Sequence, residues 1–130
     1  MKEAYDLLKQ AGTYFLATCE EGQPHVRPFG TIHLYRDRLY FQTGKSKTVS
    51  RQLRANPRVE ICAMLGDKWL RVEGSAVLDD DREARVSMLE AYPSLQAMYS
   101  PDDGNTEVWY LRNCSAALYS FTEPPKTWKF

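Results

Sequence analysis

The sequence predicts an α+β fold in which six or seven short antiparallel strands form a barrel flanked by helices. Short runs of β-branched and aromatic residues are joined by tight turns, and helical patterns occur only at the start, in the middle and after the main strands. No strand-helix-strand rhythm is present. The 130 residues correspond to about one domain, because domains centre on roughly 100 to 150 residues. We therefore expect a single domain, residues 1–130.

The first part of the chain predicts a helix followed by a hairpin. Apolar residues at helical spacing precede Gly12, a residue type that often ends helices, and these residues are Ala4, Leu7, Leu8 and Ala11. Residues 13–19 favour a strand, and the turn at 20–23 leads to a second extended run over 25–35. Proline and glycine inside that run, at 28 and 30, indicate a bulged or edge stretch that another backbone or a ligand approaches closely.

Further elements follow from the same reasoning. A strand over 39–43 precedes a helix that runs to about Ala55, where Asn56-Pro57 stops it. Asp79-Asp80-Asp81 supplies N-cap candidates for a helix to about Tyr92, and Pro93 starts a short one that reaches Tyr99. The remaining predicted strands are 59–64, 69–78, 107–112 and 116–121, and we expect the tail around Pro124-Pro125 to be irregular.

Composition excludes several classes of function. Seventeen basic side chains balance seventeen acidic ones, so the chain lacks the excess positive charge on which nucleic-acid binding depends. The longest apolar run, Tyr14–Ala17, is far shorter than the ~20 residues of a membrane span, and the first residues are too polar for a signal peptide. We therefore expect a cytoplasmic protein that binds neither nucleic acid nor membrane.

The cysteines and histidines do not predict a metal site. Cys19, Cys62 and Cys114 are far apart and form none of the close pairs of zinc sites or redox dithiols, so we expect reduced thiols in the core. His25 and His33 share a face if their stretch is one strand, but no third ligand is identifiable.

Residues 40–47, YFQTGKSK, carry the strongest chemical signal. They bring hydroxyl groups, ammonium groups and the start of a helix together, and free N–H groups at a helix start bind anions. Thr43, Lys45, Ser46 and Lys47 are the candidate phosphate ligands. The alternative is a solvated loop with an ordinary Ser46 N-cap. A Walker A loop is excluded because position 39 is leucine where that motif needs glycine.

A second candidate phosphate ligand is Arg27, because a guanidinium makes paired hydrogen bonds to phosphate oxygens. The alternative for Arg27 is a surface salt bridge. A strand that a flat ring can approach, the aromatic residues Phe29 and Phe41, and a cationic helix start together describe a site for flavin mononucleotide (FMN).

Taken in order and spacing, these segments resemble the pyridoxamine phosphate oxidase-like FMN-binding split barrels, closest to the short members grouped with nitroimidazole-resistance reductases. The resemblance covers almost the whole chain and rests on FLAT at 15–18, GQP at 22–24, RPFG at 27–30, LYFQT at 39–43, Lys47, NPRV at 56–59 and VEG at 72–74. It implies a split β-barrel with flanking helices and a homodimer with FMN between the subunits.

The resemblance also implies roles for individual residues. The strand with Arg27, Pro28, Phe29 and Gly30 would run along the flavin, with Arg27 toward the phosphate or ribityl chain. Gln42 and Thr43 match the strand end that contacts FMN, and Ser46 and Lys47 match the helix-start phosphate ligands, with Lys45 beside them. Trp69 falls where the family places a contact to the ring. Trp109 or Tyr110 is a candidate to close the site from the partner chain.

The expected function is that of an FMN-dependent oxidoreductase, resembling flavin reductases or nitroreductases, that acts on a small molecule. Residues 123–130 lack the Arg and His segment with which the true oxidase grips its substrate, so that activity is not implied. We expect the cofactor to perform the chemistry and name no catalytic residue. The alternatives are deazaflavin or haem in place of FMN, a flavin-binding protein without turnover, and a structural barrel.

Overall fold

One antiparallel sheet of eight strands, flanked by helices, makes up the fold. The computed structural model describes residues 1–130. The helices are α1 (Lys2–Ala11), α2 (Thr48–Ala55) and α3 (Arg82–Ala91), and a 3₁₀ turn covers Pro93–Ala97. The strands are β1 (Tyr14–Glu20), β2 (Gln23–Phe29), β3 (His33–Tyr35), β4 (Arg38–Gly44), β5 (Arg58–Leu65), β6 (Lys68–Asp79), β7 (Thr106–Tyr119) and β8 (Lys126–Lys129). No helix has the length and apolar character needed to cross a membrane.

The strand order explains why the barrel is split. Neighbours run β2-β1-β5-β6-β7-β4-β3, with β8 also paired to β7. Strands β2 and β3 are consecutive in the chain but lie at opposite ends of this order and form no ladder with each other. The predicted α+β split barrel is confirmed, and the gap between β2 and β3 is the place where the sheet does not close.

Two predicted strands have different boundaries in the structure. The expected continuous strand over 25–35 was wrong, because Gly30–Ile32 leave the ladder and separate β2 from β3. The expected break between 112 and 116 was also wrong. Strand β7 continues through Asn113, whose φ is 55°, because β7 takes up one extra residue as a bulge opposite Gly74 of β6. A Cβ at Gly74 would lie 2.8 Å from the Cys114 Sγ, so this position in β6 requires glycine.

The ends of the helices and the tail follow from local chemistry. The side chain of Asp81 caps α3 by accepting a hydrogen bond from the Glu83 N–H at 3.0 Å, as the sequence predicted. The tail is irregular over residues 121–125, as expected, but Lys126–Lys129 then form β8, which pairs with β7, and Cys114 and Phe130 exchange both backbone hydrogen bonds. Strand β8 follows the two prolines and is held by backbone hydrogen bonds. Its side chains show no strand pattern in the sequence.

The inner face of the sheet packs into one core cluster of 18 buried residues. Large apolar side chains from β1, β4, β5 and β6 fill it, together with Leu8 of α1 and Leu53 of α2. Burial of this apolar surface drives folding. Only Cys114 among the cysteines is buried; Cys19 and Cys62 lie half-buried in the sheet, so the expectation of three core thiols was wrong for these two.

The loop at 100–106 is organised by Asp103 and positions the start of α2. The Asp103 carboxylate accepts hydrogen bonds from the N–H groups of Ser100, Asn105 and Thr106 at 2.7–3.0 Å. Asn105 in turn accepts from the N–H groups of Lys45 and Ser46. Burial alone would raise the pKa of Asp103, but these hydrogen bonds outweigh it and lower the pKa to about 2.

We expect Asp103→Asn to lower the free energy of unfolding at pH 7 by about 1 kcal/mol, a value reduced for the exposure of this carboxylate. Because the folded pKa is below the reference value of 3.8, the stabilisation is present above pH 3.8 and is lost as the pH falls toward 2. Urea unfolding at pH 7 and pH 3 tests this. A difference between wild type and variant that is the same at both pH values would contradict it.

Candidate functional site

A groove of about 520 Å³ opens beside the gap between β2 and β3. One side is the end of β2 with the residues that follow it, and the floor includes the end of β4 and the start of α2. The predicted residues that line this groove are Arg27, Pro28, Phe29, Gly30, Gln42, Thr43 and Lys47. The volume lies within the roughly 300–1,000 Å³ of small-molecule sites. The structure thus brings most of the predicted site together.

The start of α2 has the properties of an anion site. Its N-cap residue is Lys47 rather than Ser46, and no side chain caps the helix. The N–H of Ser46 is instead bonded to the Asn105 side chain at 3.0 Å. The N–H groups of Thr48 and Val49 belong to the first turn of α2, where backbone donors have no partner within the helix. The interpretation of an ordinary Ser46 N-cap was therefore wrong, and the positive end of the helix stays available to an anion.

The two lysines of this segment face different cavities. Lys47 lines the groove, whereas Lys45 lines a separate cavity of about 500 Å³ with Arg54 and Glu107. Neither lysine forms an ion pair with a carboxylate. Lys45 and the exposed Ser46 are thus adjacent in sequence to the groove but do not line it. Successive side chains in a turn point in different directions, and the spacing of residues in the sequence does not show which of them faces the groove.

Arg27 is held by neutral oxygen atoms. Its guanidinium donates to the Leu16 carbonyl at 3.1 Å, to Thr18 Oγ1 at 2.9 Å and to Gln52 Oε1 at 2.5 Å. Burial lowers the pKa of Arg27, and no carboxylate offsets that effect. The alternative of a surface salt bridge is therefore wrong. Arg27 retains an unneutralised positive charge at the edge of the groove.

Residues 30–32 lie beside the groove and outside the sheet ladder. Tyr14 donates its hydroxyl to the Thr31 carbonyl at 2.6 Å, and the Thr31 hydroxyl accepts from the Gln42 N–H at 2.9 Å. Burial raises the pKa of Tyr14, so its hydroxyl stays protonated and donates. The N–H groups of Gly30 and Thr31 have no partner within the chain. Side chains thus hold the segment in place while its own donors remain available.

The opposite wall of the groove was not predicted from sequence. It consists of five residues from the segment that follows α3 and contains the 3₁₀ turn: Tyr92, Ser94, Leu95, Met98 and Tyr99. The Tyr92 hydroxyl fixes this wall, because it accepts from the Ile32 N–H at 3.0 Å and donates to the Ile32 carbonyl at 2.9 Å. Tyr92, Tyr99 and the exposed Met98 are apolar contact residues that the sequence shows. Their spacing does not indicate which element of the fold they face.

The tryptophan candidates lie elsewhere. Trp69 stacks on Tyr119 with ring centroids 5.6 Å apart and does not line the groove of its own chain. Trp109 is 3% exposed and donates its Nε1 hydrogen to Glu107, so the prediction that it closes the site from a partner chain was wrong. Tyr110 is half-buried and lies under the Arg38 guanidinium.

The arrangement is suited to a planar molecule with an anionic tail. Cationic groups and free helix N–H groups lie at one end of the groove, and Phe29, Leu95 and the tyrosines supply apolar contact area. No pair of side chains here forms a nucleophile and base. The site therefore offers binding and orientation, and any redox chemistry has to come from the bound molecule.

Comparison with known proteins agrees with this geometry. The family profile described as pyridoxamine 5'-phosphate oxidase matches residues 1–113. A solved structure described as a NimC/NimA family protein from Clostridium acetobutylicum is 40% identical, with a TM-score of 0.96 over 100% of this chain and 92% of that chain. No functionally curated protein matches the chain.

Two more distant structures share the fold. A pyridoxamine 5'-phosphate oxidase-related, FMN-binding protein from Nostoc punctiforme is 17% identical, with a TM-score of 0.67 over 99% of this chain and 94% of that one. A haem-binding protein from Mycobacterium smegmatis is 19% identical, with a TM-score of 0.76 over 98% of this chain and 56% of that one. At these identities the likeness concerns the fold alone.

We expect Tyr92→Phe to lower the free energy of unfolding by about 1–3 kcal/mol, because it leaves the N–H and C=O of the buried Ile32 without their partner. Lys9→Ala is the control, since Lys9 also donates to this hydroxyl, at 3.2 Å, but is exposed, and its loss should cost less than about 0.5 kcal/mol. Urea unfolding measures both. Equal stability of Tyr92→Phe and wild type would contradict the role of this hydroxyl.

Proposed function

The chain belongs to the pyridoxamine 5'-phosphate oxidase-like family of FMN-binding split barrels, and on this basis we propose that it binds FMN and works as an oxidoreductase on a small molecule. When bound, FMN would supply the capacity to accept and release a hydride or electrons. The protein itself would bind the phosphate, orient the ring and limit solvent access. Its location in the cytoplasm stays a prediction.

The observation that carries this proposal is the uncapped start of α2 beside two cations without carboxylate partners. Lys47 and the free N–H groups of Thr48 and Val49 would receive the phosphate, with Arg27 as the second cation. A phosphate at a helix start gains charge-assisted hydrogen bonds and the favourable helix dipole. We propose that Gln42 and Thr43, which are buried at the end of β4, contact the ribityl chain.

The ring would lie along Pro28, Phe29 and Gly30. No atom lies within 4 Å of the position that a Cβ would take at Gly30, and its φ is not positive, so the fold itself does not require glycine there. The free N–H groups of Gly30 and Thr31 would face the ring's polar edge. A close approach of backbone to a ligand accounts for a glycine that packing does not explain.

The test of binding is the flavin spectrum of the purified protein and titration of the cofactor-free protein with FMN. We expect Lys47→Ala to weaken FMN binding by roughly tenfold, because it removes one charge-assisted hydrogen bond to the phosphate. Lys45→Ala is the matched control, because Lys45 faces the other cavity, and it should change the affinity less than about twofold.

Equal effects of the two lysine variants would place the phosphate elsewhere, and failure of the wild type to bind FMN would end the proposal. A haem spectrum in place of a flavin spectrum would favour the haem alternative. Oxidoreductase activity is then tested separately, by following reduction of the bound flavin with nicotinamide donors and its reoxidation by nitroaromatic acceptors.

We further propose that the protein is a homodimer with FMN at the subunit interface. The outer face of the sheet carries the exposed apolar side chains of Val26, Phe15 and Met64. They lie opposite the half-buried Ala17, Cys62 and Trp69 on the adjacent strands. An exposed apolar patch of this kind marks an interaction surface. Trp69 would lie on that surface, where it could reach only the site of another subunit.

We expect the double variant Val26→Glu, Met64→Glu to be monomeric and to bind FMN at least tenfold more weakly, because each charge occurs twice in a symmetric interface and loses solvation there. Light scattering and FMN titration measure the two effects. Ala55→Glu is the control for dimerisation, since Ala55 is exposed at the end of α2 and lines neither the groove nor the outer face of the sheet. A monomeric variant that retains full FMN affinity would contradict a shared site.

A further inference from the structure

The arginines of this chain differ in what compensates their charge. Seven form ion pairs with carboxylates: Arg36, Arg38, Arg51, Arg54, Arg71, Arg82 and Arg85. Arg58 and Arg112 form none but are exposed, so water solvates them. Arg27 is the remaining arginine, and it is partly buried without a carboxylate. A partly buried charge normally has an opposite charge beside it, so this exception requires an explanation.

The side chain that stands where a carboxylate would be expected is Gln52. It projects from α2, is 2% exposed, and its Oε1 accepts from both Arg27 Nη2 at 2.5 Å and Thr18 Oγ1 at 2.6 Å. Thr18 Oγ1 also accepts from Arg27 Nη1 at 2.9 Å. Gln52 of α2 and Thr18 of β1 thus fix the guanidinium of Arg27 on β2 through acceptor atoms that carry no charge.

An amide and a carboxylate are nearly identical in shape but differ in what they leave for a ligand. Glutamate at position 52 would accept the same two hydrogen bonds and would also neutralise Arg27. The amide orients Arg27 equally well and leaves its positive charge for another anion. A residue needed only to pack α2 on β1 would be apolar, since burying a polar side chain is unfavourable unless its hydrogen bonds are made.

We propose that Gln52 is a positioning residue that holds Arg27 toward the groove while keeping its charge available for a phosphate. This inference rests on the proposed FMN site and adds to it a residue that selects phosphorylated over unphosphorylated flavin. Gln52 does not line the groove itself. It acts through Arg27, so its effect is on the phosphate and not on the ring.

The experiment compares FMN with riboflavin, which has the same ring and ribityl chain but no phosphate. Affinities for both are measured by flavin fluorescence titration on cofactor-free wild type, Gln52→Glu, Gln52→Met and Arg51→Gln. The last variant is the charge control: it changes the net charge by the same amount on the same helix, at an exposed side chain paired with Glu20. Thermal unfolding of the cofactor-free proteins reports on folding.

We expect Gln52→Glu to bind FMN roughly 10- to 100-fold more weakly and riboflavin as the wild type does, with no loss of melting temperature. Gln52→Met, which loses orientation but not charge, should weaken FMN binding by only a few-fold. The methionine variant therefore keeps the inference testable if Gln52→Glu does not fold. Arg51→Gln should retain the wild-type preference for FMN.

A Gln52→Glu variant with the wild-type ratio of FMN to riboflavin affinity overturns the inference, as does a methionine variant that loses as much of that ratio as the glutamate variant. A wild-type protein that binds neither flavin overturns the proposed function and this inference with it. Equal binding of the two flavins by the wild type overturns the phosphate site and this inference with it, but leaves flavin binding in the groove intact.

Discussion

Unneutralised positive charge at the start of α2 is the constraint on which the rest of the site depends. The chain has as many acidic as basic side chains, and most of its arginines are paired. Against that background, Arg27 and Lys47 are conspicuous because no carboxylate within the chain neutralises them, and no side chain caps the start of α2. Like charges that converge repel each other in the empty protein, and an anion between them reverses that cost.

The remainder of the fold keeps this corner rigid. Asp103 orders the loop that binds the backbone of Lys45 and Ser46, so the start of α2 is fixed from outside by hydrogen bonds to Asn105. On the other side, the hydroxyls of Tyr14 and Tyr92 fix the segment 30–32, which has left the sheet ladder. A split in the barrel would otherwise expose a mobile edge. Here it becomes a groove with two walls that hydrogen bonds hold in place, and such preorganisation reduces the entropy lost on binding.

The sequence predicted the parts of the site that depend on local signals. Pro28 and Gly30 interrupt an alternating strand, and Lys47 precedes a helix with a clear stop at Asn56-Pro57, so both sides of the phosphate end were identifiable from spacing. The position of Lys45 was not, because the direction of a side chain in a turn depends on the Asn105 contact, about 60 residues away in sequence. The Tyr92–Tyr99 wall was missed for the same reason, since tertiary packing alone places it on the groove.

Three glycines differ in whether the packing of the chain explains them. Gly74 is required by packing, because a Cβ would collide with Cys114, and Gly44 is confined by Tyr99 and Asn105 at 3.1–3.2 Å. Gly30 has open space around it and no positive φ, so neither sterics nor backbone strain accounts for it. Gly30 lies outside the sheet ladder, where glycine still loses more conformational entropy on folding than alanine and so costs roughly 0.4–1 kcal/mol. That cost is offset only if something outside the chain comes closer to the backbone than a side chain would allow, and the free N–H groups of residues 30 and 31 lie at the same place.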